Sequence, residues 1–141
     1  MHKKRLSNGQ KSRQRTDTED RAMVYRDWLR THKSPNGFYL DADLIKWRTG
    51  DKGVPVPCAI TEITRCDSEQ VSTNYLRAIE RRWFERDSQG VCFEELGRML
   101  GVPVYIVLFQ KELKWIYAFS FQNKTWKKFT PDEWELFLSN L

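Results

Sequence analysis

The stretch VPVPCAITEITR, residues Val54–Arg65, decides the fold, because it is the second strand of a predicted hairpin and carries an acid inside an apolar run. The predicted first strand precedes it as FYLDADLIKWR, residues Phe38–Arg48. Between them, TGDKG at 49–53 has the composition of a tight hairpin turn. Pro55 and Pro57 cannot donate to a sheet ladder, so they predict an edge or a distortion in the first part of the second strand.

Hydrophobic periodicity and capping residues predict the other elements. In chain order the elements are helix, strand, strand, helix, helix, strand, strand, helix. An antiparallel hairpin followed by a helical crossover predicts an α/β fold, with a mixed β-sheet flanked by helices. The elements predicted outside the hairpin are the helices Thr18–His32, Tyr75–Arg86 and Val91–Leu100, the buried central strand Val102–Phe109, the strand Lys114–Phe121 and a closing helix that begins at Thr130–Glu133.

Composition bounds the class of protein. The 141 residues are 40% hydrophobic and 13% aromatic, which is enough for one compact domain with an ordinary core. No run of about 18 apolar residues occurs, so we expect no membrane segment, and no apolar stretch follows the basic start, so we expect no secretory signal. Cys58, Cys66 and Cys92 form no CxxC pair, which argues against a disulfide framework and a zinc site. These features favour a cytoplasmic protein.

Positive charge is concentrated at the N-terminus. The net charge is +5, and the first 15 residues carry six basic residues and no acid. We therefore predict a basic flexible tail over residues 1–16, followed by a single domain over residues 17–141. Such a tail can attract phosphate backbones without reading sequence, or it can serve only as a solubilising leader.

Three carboxylates fall on the predicted hairpin. Asp41 and Asp43 are two residues apart on the first strand, so both are expected to point to one face. On the second strand, Glu62 and Thr64 are expected to share a face with Cys58. If the hairpin brings an aspartate beside Glu62, their repulsion raises the pKa values unless a cation neutralises them, and such oxygen ligands suit Mg²⁺ or Mn²⁺. The alternative is a solvated Asp-x-Asp pair and a glutamate paired with a neighbouring arginine.

The segments that carry these acids are LDADLIKWR (Leu40–Arg48) and CAITEITR (Cys58–Arg65). A helix precedes them, and a helix and two strands follow. In this order they resemble the core of the PD-(D/E)XK nuclease superfamily, over roughly residues 18–121. The resemblance implies a restriction-endonuclease-like core and metal-dependent hydrolysis of a phosphodiester bond in DNA.

The resemblance also implies roles for individual residues. Asp43 and Glu62 would hold Mg²⁺ or Mn²⁺, with Asp41 as a second or alternative ligand. The lysine that aligns the attacking water in the superfamily would stand two residues after Glu62, but Thr64 stands there, giving E-x-T. A threonine hydroxyl can bind a water molecule, but it supplies no positive charge to the transition state. Thr64 is thus predicted as a substituted catalytic residue, and Gln89 either as a catalytic residue near the metal or as a turn residue.

Three sources could replace the missing positive charge. Arg65 follows Thr64 directly, but strand alternation turns it to the opposite face. Lys46 alternates away from Asp43 unless a β-bulge intervenes. The third source is the helix that crosses over after the second strand.

That crossover helix carries a basic cluster of Arg77, Arg81, Arg82 and Arg86, in which Arg77 and Arg81 are four residues apart and so share a helical face. The alternative interpretation is a solvated helical surface, partly neutralised by Glu80 and Glu85. The predicted nucleic-acid-binding residues are Arg65, Arg77, Arg81, Arg82 and Lys46.

Three functions remain open. The leading prediction is a small nuclease that acts on DNA, as a monomer or a homodimer. Because the lysine is missing, the second is a catalytically inactive nuclease-fold module that binds nucleic acid or a partner protein. The third is a protein-binding inhibitor or adaptor, which would bind DNA weakly even at low salt.

Overall fold

The computed structural model of the chain describes residues 15–31 and 40–141. Residues 40–141 form a compact unit of their own, and residues up to 39 belong to a separate one. The fold is α/β, with a five-stranded mixed sheet flanked by helices, as predicted. The elements are α1 (Arg15–Thr31), β1 (Leu44–Thr49), β2 (Pro55–Arg65), α2 (Thr73–Arg81), a π-helical turn (Arg82–Arg86), α3 (Gln89–Leu100), β3 (Val104–Phe109), β4 (Ile116–Ser120), β5 (Thr125–Phe129) and α4 (Pro131–Ser139).

The five strands lie side by side in chain order. β1 and β2 form the predicted antiparallel hairpin, and β3, β4 and β5 form an antiparallel meander. β2 and β3 are parallel. A parallel pair needs a crossover connection, and α2, the π-helical turn and α3 supply it. The long strand β2 is therefore the seam between the hairpin and the meander.

The predicted distortion of β2 is confirmed. β3 pairs with β2 only from Ile60 onward, so the stretch Pro55–Pro57 has β1 as its one strand neighbour and needs no donor on the other side. The register with β1 shifts between Lys46 and Trp47, which leaves Cys58 opposite no residue. This β-bulge breaks the alternation that would have placed Cys58 on one face with the later residues of β2.

Each face of the sheet has its own core. On one face, α2, the π-helical turn and α3 pack against β2, β3 and β4. On the other face, α4 packs against β3, β4 and β5. The first core includes Ile60, Leu76, Ile79, Trp83, Phe93, Ile106 and Phe119. The second includes Val107, Ile116, Ala118, Phe129 and Trp134.

Two strand predictions needed correction. β1 begins at Leu44, so the predicted strand Phe38–Arg48 is too long at its start, and its first two residues lie outside the described part of the chain. β5 was not predicted, because Trp126 packs against the first core and Phe129 belongs to the second, with two lysines between them. This spacing of three shows no strand alternation. The lysines also protect β5 as an edge strand.

The helix predictions agree with the structure. α1 covers the predicted helix Thr18–His32 except for His32, which lies outside the described residues, and it begins earlier, at Arg15. α4 begins with a capping box, in which Thr130 accepts from the Glu133 backbone and Glu133 accepts from the Thr130 backbone. Among the helices of residues 15–31 and 40–141, none is long and apolar enough to cross a membrane.

Ile106→Ala tests the first core. Ile106 is 0% exposed, so its truncation leaves a cavity that costs about 2–5 kcal/mol of unfolding free energy. The matched control is Ile63→Ala, because Ile63 lies on the neighbouring strand with 42% exposure, and its truncation costs about 1 kcal/mol or less. Urea unfolding of both variants measures the difference, and equal losses would contradict this placement of the core.

Candidate carboxylate site

Two hydrogen bonds tie Asp43 to β2, one to the Glu62 side chain and one from the Ile63 backbone. The backbone N–H of Asp43 donates to Oε2 of Glu62 at 2.7 Å. The backbone N–H of Ile63 donates to Oδ2 of Asp43 at 3.0 Å. The hairpin register explains this contact, because Leu44 pairs with Thr61 and the next residues outward are Asp43 and Glu62. Just before Leu44, where the β1–β2 pairing begins, side-chain oxygens therefore accept the backbone hydrogen bonds in place of carbonyl oxygens.

Glu62 is a buried acid. Its side chain lies two residues after Ile60 on β2, on the face covered by the crossover helices, and the residue is only 3% exposed. The pKa of Glu62 is raised to about 7: burial raises it most, the hydrogen bond from the Asp43 backbone lowers it, and the negative charges of Asp43 and Asp41 raise it. None of these causes is a neighbouring positive charge that would stabilise the ionised carboxylate of Glu62.

Asp41 and Asp43 do not lie on a strand, which corrects the prediction that β-strand alternation aligns them. Both precede Leu44, where β1 begins. Asp43 nevertheless reaches Glu62 through the hydrogen bonds, and Asp41 is close enough for its charge to act on the pKa of Glu62. The predicted gathering of acids beside Glu62 is present, although alternation along a strand does not align the two aspartates.

Asp43 and Glu62 can hold a divalent cation only if waters or substrate phosphates supply the remaining ligands. Within residues 15–31 and 40–141, no group of three His, Cys, Asp or Glu side chains is arranged to hold a metal ion. Oε2 of Glu62 and Oδ2 of Asp43 accept the two backbone hydrogen bonds, so the second oxygen of each carboxylate accepts neither of these bonds. Mg²⁺ is commonly bound by one or two carboxylates together with waters and substrate phosphates. The pair fits that mode and does not form a complete protein cage.

Neither strand residue considered for the missing charge reaches the site. Lys46 pairs with Ala59, on the face opposite Glu62, and its Nζ lies 3.5 Å from Sγ of Cys58. The bulge follows Lys46 along the chain and does not turn it around. Arg65 is exposed and forms an ion pair with Asp67, with 2.8 Å between Nε and Oδ1.

The two other predicted catalytic residues have different positions. Thr64 is half-buried and follows Glu62 by two residues on β2, so it lies on the same face. Gln89 is the first residue of α3 and is half-buried, so it belongs to a helix and not to a turn. Within the described residues, no hydrogen bond links Gln89 to Asp43 or Glu62.

The predicted arginine cluster is divided. Arg77 and Arg81 line an open cleft of about 650 Å³ beside α2. Arg82 does not line the cleft, and its positive charge lowers the pKa of the Tyr75 phenol against the larger effect of burial, which raises it. Phe84 and Lys124 also line the cleft. No sequence pattern predicts this cleft, because Lys124 lies in the turn between β4 and β5, far along the chain from α2.

Comparisons of the chain with protein-family models, with curated proteins and with solved structures give no significant match.

The raised pKa of Glu62 predicts a pH-dependent stability. The carboxyl has an ordinary pKa of 4.5 when the chain is unfolded and about 7 when it is folded. The folded state binds more protons between these values, so its unfolding free energy falls as the pH rises from about 4.5 to 7, by at most about 1.4 kcal/mol per pH unit. Urea unfolding from pH 4.5 to 8 measures this slope.

Glu62→Gln removes the titrating group and keeps the acceptor for the Asp43 backbone. The difference in unfolding free energy between this variant and the wild type should therefore change across the same pH range, with the variant gaining relative stability toward pH 7 and above. A difference that does not vary with pH would show that Glu62 has an ordinary pKa.

Proposed function

We propose that the protein is a PD-(D/E)XK-like nuclease that hydrolyses phosphodiester bonds of DNA with Mg²⁺ or Mn²⁺, on a restriction-endonuclease-like core. The observation that carries the proposal is the buried carboxylate of Glu62, which accepts a hydrogen bond from the Asp43 backbone, while the Asp43 carboxylate accepts one from the Ile63 backbone next to it. The sheet supports it, because an antiparallel hairpin bearing both acids leads through helices into a parallel strand. A buried acid without a cationic neighbour is costly as a purely structural feature.

In this proposal, Asp43 and Glu62 hold the cation, and Asp41 is the second or alternative ligand. The cation supplies neutralisation of the phosphate charge and a lower pKa for a bound water. Thr64, on the same face as Glu62, offers a hydroxyl that orients the attacking water by a hydrogen bond. Gln89 approaches from the start of α3 when substrate is bound.

The basic residues have a separate task. Arg77, Arg81 and Arg82 lie on the crossover helices, and Lys46 and Arg65 lie on the hairpin strands. Contacts of this kind to phosphates fix the position of a nucleic acid without reading its sequence. They would hold the DNA backbone while the carboxylates act on one phosphodiester.

The second candidate function is a catalytically inactive module of the same fold that binds nucleic acid or a partner protein. The observation that favours it concerns the charged groups that act on the pKa of Glu62. These groups are Asp43 and Asp41, and both are acids. Arg65 and Lys46 have other contacts, and Thr64 is neutral. A site without a nearby cation gives less stabilisation to a developing phosphorane.

The first test is cleavage of labelled linear, single-stranded and branched DNA by the purified protein with Mg²⁺, Mn²⁺ or EDTA. Glu62→Gln and Asp43→Asn should each lower the cleavage rate by about 10²–10³-fold, the usual effect of removing a preorganised electrostatic group. The matched control is Glu69→Gln, because the Glu69 side chain is exposed and forms a surface ion pair with Lys114.

The outcomes separate the candidate functions. Cleavage that EDTA and both variants abolish, with the control intact, supports a nuclease that works without the usual lysine. Cleavage unchanged in Glu62→Gln would rule out the proposed site. Salt-sensitive DNA binding without cleavage supports the inactive module, and neither binding nor cleavage supports a protein-binding adaptor.

Thr64→Lys tests the signature itself. The substitution restores E-x-K on the face that carries Glu62, so it places a positive charge beside the buried acid. Under the nuclease proposal or the inactive-module alternative, metal-dependent cleavage should rise, by up to about 10²–10³-fold. Thr125→Lys, at the exposed start of β5, is the control and should leave the rate unchanged. A folded Thr64→Lys variant with no gain in cleavage would count against the signature.

A further inference from the structure

A second polar site lies away from the hairpin, where α2 and the π-helical turn face β4 and the turn before β5. It is an open cleft of about 650 Å³ with charged walls and an aromatic floor. Neither acid of the carboxylate pair lines it: Glu62 lies on β2, two strands from Phe119 of β4, and Asp43 lies beside β1. The residues that line the cleft are Arg77, Glu80, Arg81, Phe84, Glu85, Phe119 and Lys124.

The arginines of one wall are available to an anion. Arg77 and Arg81 are one helical turn apart, so their side chains project from the same face of α2. Among residues 15–31 and 40–141, neither forms an ion pair within 4.0 Å. Glu80 between them is committed elsewhere, because its Oε2 accepts from Nε1 of Trp126 at 2.9 Å.

The floor is a ring held in place by other rings. Phe84 is half-buried, and its ring centroid lies 5.9 Å from that of Phe119 and 5.1 Å from that of Phe121. Lys124 lies over Phe84, with Nζ 4.4 Å from the ring centroid, and it also forms an exposed ion pair with Glu94. An exposed pair of this kind contributes only about 0–1 kcal/mol, so an anionic ligand can draw Lys124 aside.

We propose that this cleft binds an unpaired nucleotide of single-stranded DNA. The base stacks on Phe84, and Arg77 and Arg81 hold its flanking phosphates, with Lys124 released toward them. Aromatic stacking beside a positive groove is the usual way to hold a single strand. The proposal rests on the proposed nuclease function and specifies its substrate as a DNA with unpaired bases.

The lining favours a nucleotide over an acidic peptide. A peptide carboxylate could use the arginines as a phosphate does, but it has no planar ring to stack on Phe84. For a base, the carboxylate of Glu85 is also useful, since it can accept hydrogen bonds from exocyclic amino groups. A duplex offers the cleft no free base face, because its bases are already stacked and paired.

Binding in EDTA tests the proposal without any cleavage. Fluorescence anisotropy would compare a short single-stranded oligonucleotide with the same strand carrying abasic sites, which keeps every phosphate and removes the bases. We expect binding of the abasic strand to be about tenfold weaker. Equal affinity for the two strands would overturn the proposal, and so would equal affinity for a polyglutamate peptide.

Variants then separate the base from the phosphates. Phe84→Leu should weaken binding of the normal strand and leave binding of the abasic strand unchanged. The double variant Arg77→Ala/Arg81→Ala should weaken both strands and reduce the salt dependence of binding. Arg86→Ala is the matched control, because Arg86 is an exposed arginine of the same helical region that does not line the cleft.

The two proposals can fail separately. Glu62→Gln should bind the normal and the abasic strands as the wild type does, because the carboxylate pair is not part of the cleft. Cleavage of DNA that survives Phe84→Leu and the double arginine variant unchanged would overturn the cleft proposal and leave the nuclease proposal standing. Base-dependent binding without cleavage in the presence of any metal ion would support the cleft proposal and overturn the nuclease proposal.

Discussion

A carboxylate buried inside a sheet must be stabilised by its neighbours, and in this protein that requirement falls on the start of the hairpin. Glu62 lies on β2, the strand that joins the antiparallel hairpin to the parallel step. The Asp43 backbone supplies a hydrogen-bond donor to it, and the Ile63 backbone supplies one to Asp43 in return. The local path of the chain before β1 is therefore tied to the chemistry of one acid.

This arrangement stabilises Glu62 only in part. One backbone hydrogen bond lowers its pKa, but burial and two negative neighbours outweigh it and leave the pKa at about 7. A protein that needed only the fold could place an apolar residue there, since β2 is otherwise apolar on this face up to Ile60. Under the proposed function, this negative charge would be balanced by a cation that arrives with its own ligands.

The hairpin, the crossover and the helix ends could be predicted because each follows from local rules: turn composition, periodicity and capping. The proximity of Asp43 to Glu62 could also be predicted, since a hairpin register brings them together. Other features depend on tertiary packing. The five residues of β5 contribute side chains to the cores on both faces of the sheet. The cleft brings α2 together with Lys124, although two strands separate them in the chain. No sequence pattern marks such a juxtaposition.

If both proposals hold, the carboxylate pair and the cleft place different demands on one substrate. The pair would need a phosphodiester that brings ligands to a cation, and any nucleic acid offers one. The cleft would need a free base, which excludes an intact duplex. A substrate that satisfies both has paired and unpaired parts or is single-stranded throughout. The positive charge that Thr64 does not supply would then be less important for the rate. Arginines outside the reacting centre would hold the strand in position and contribute to the rate through binding.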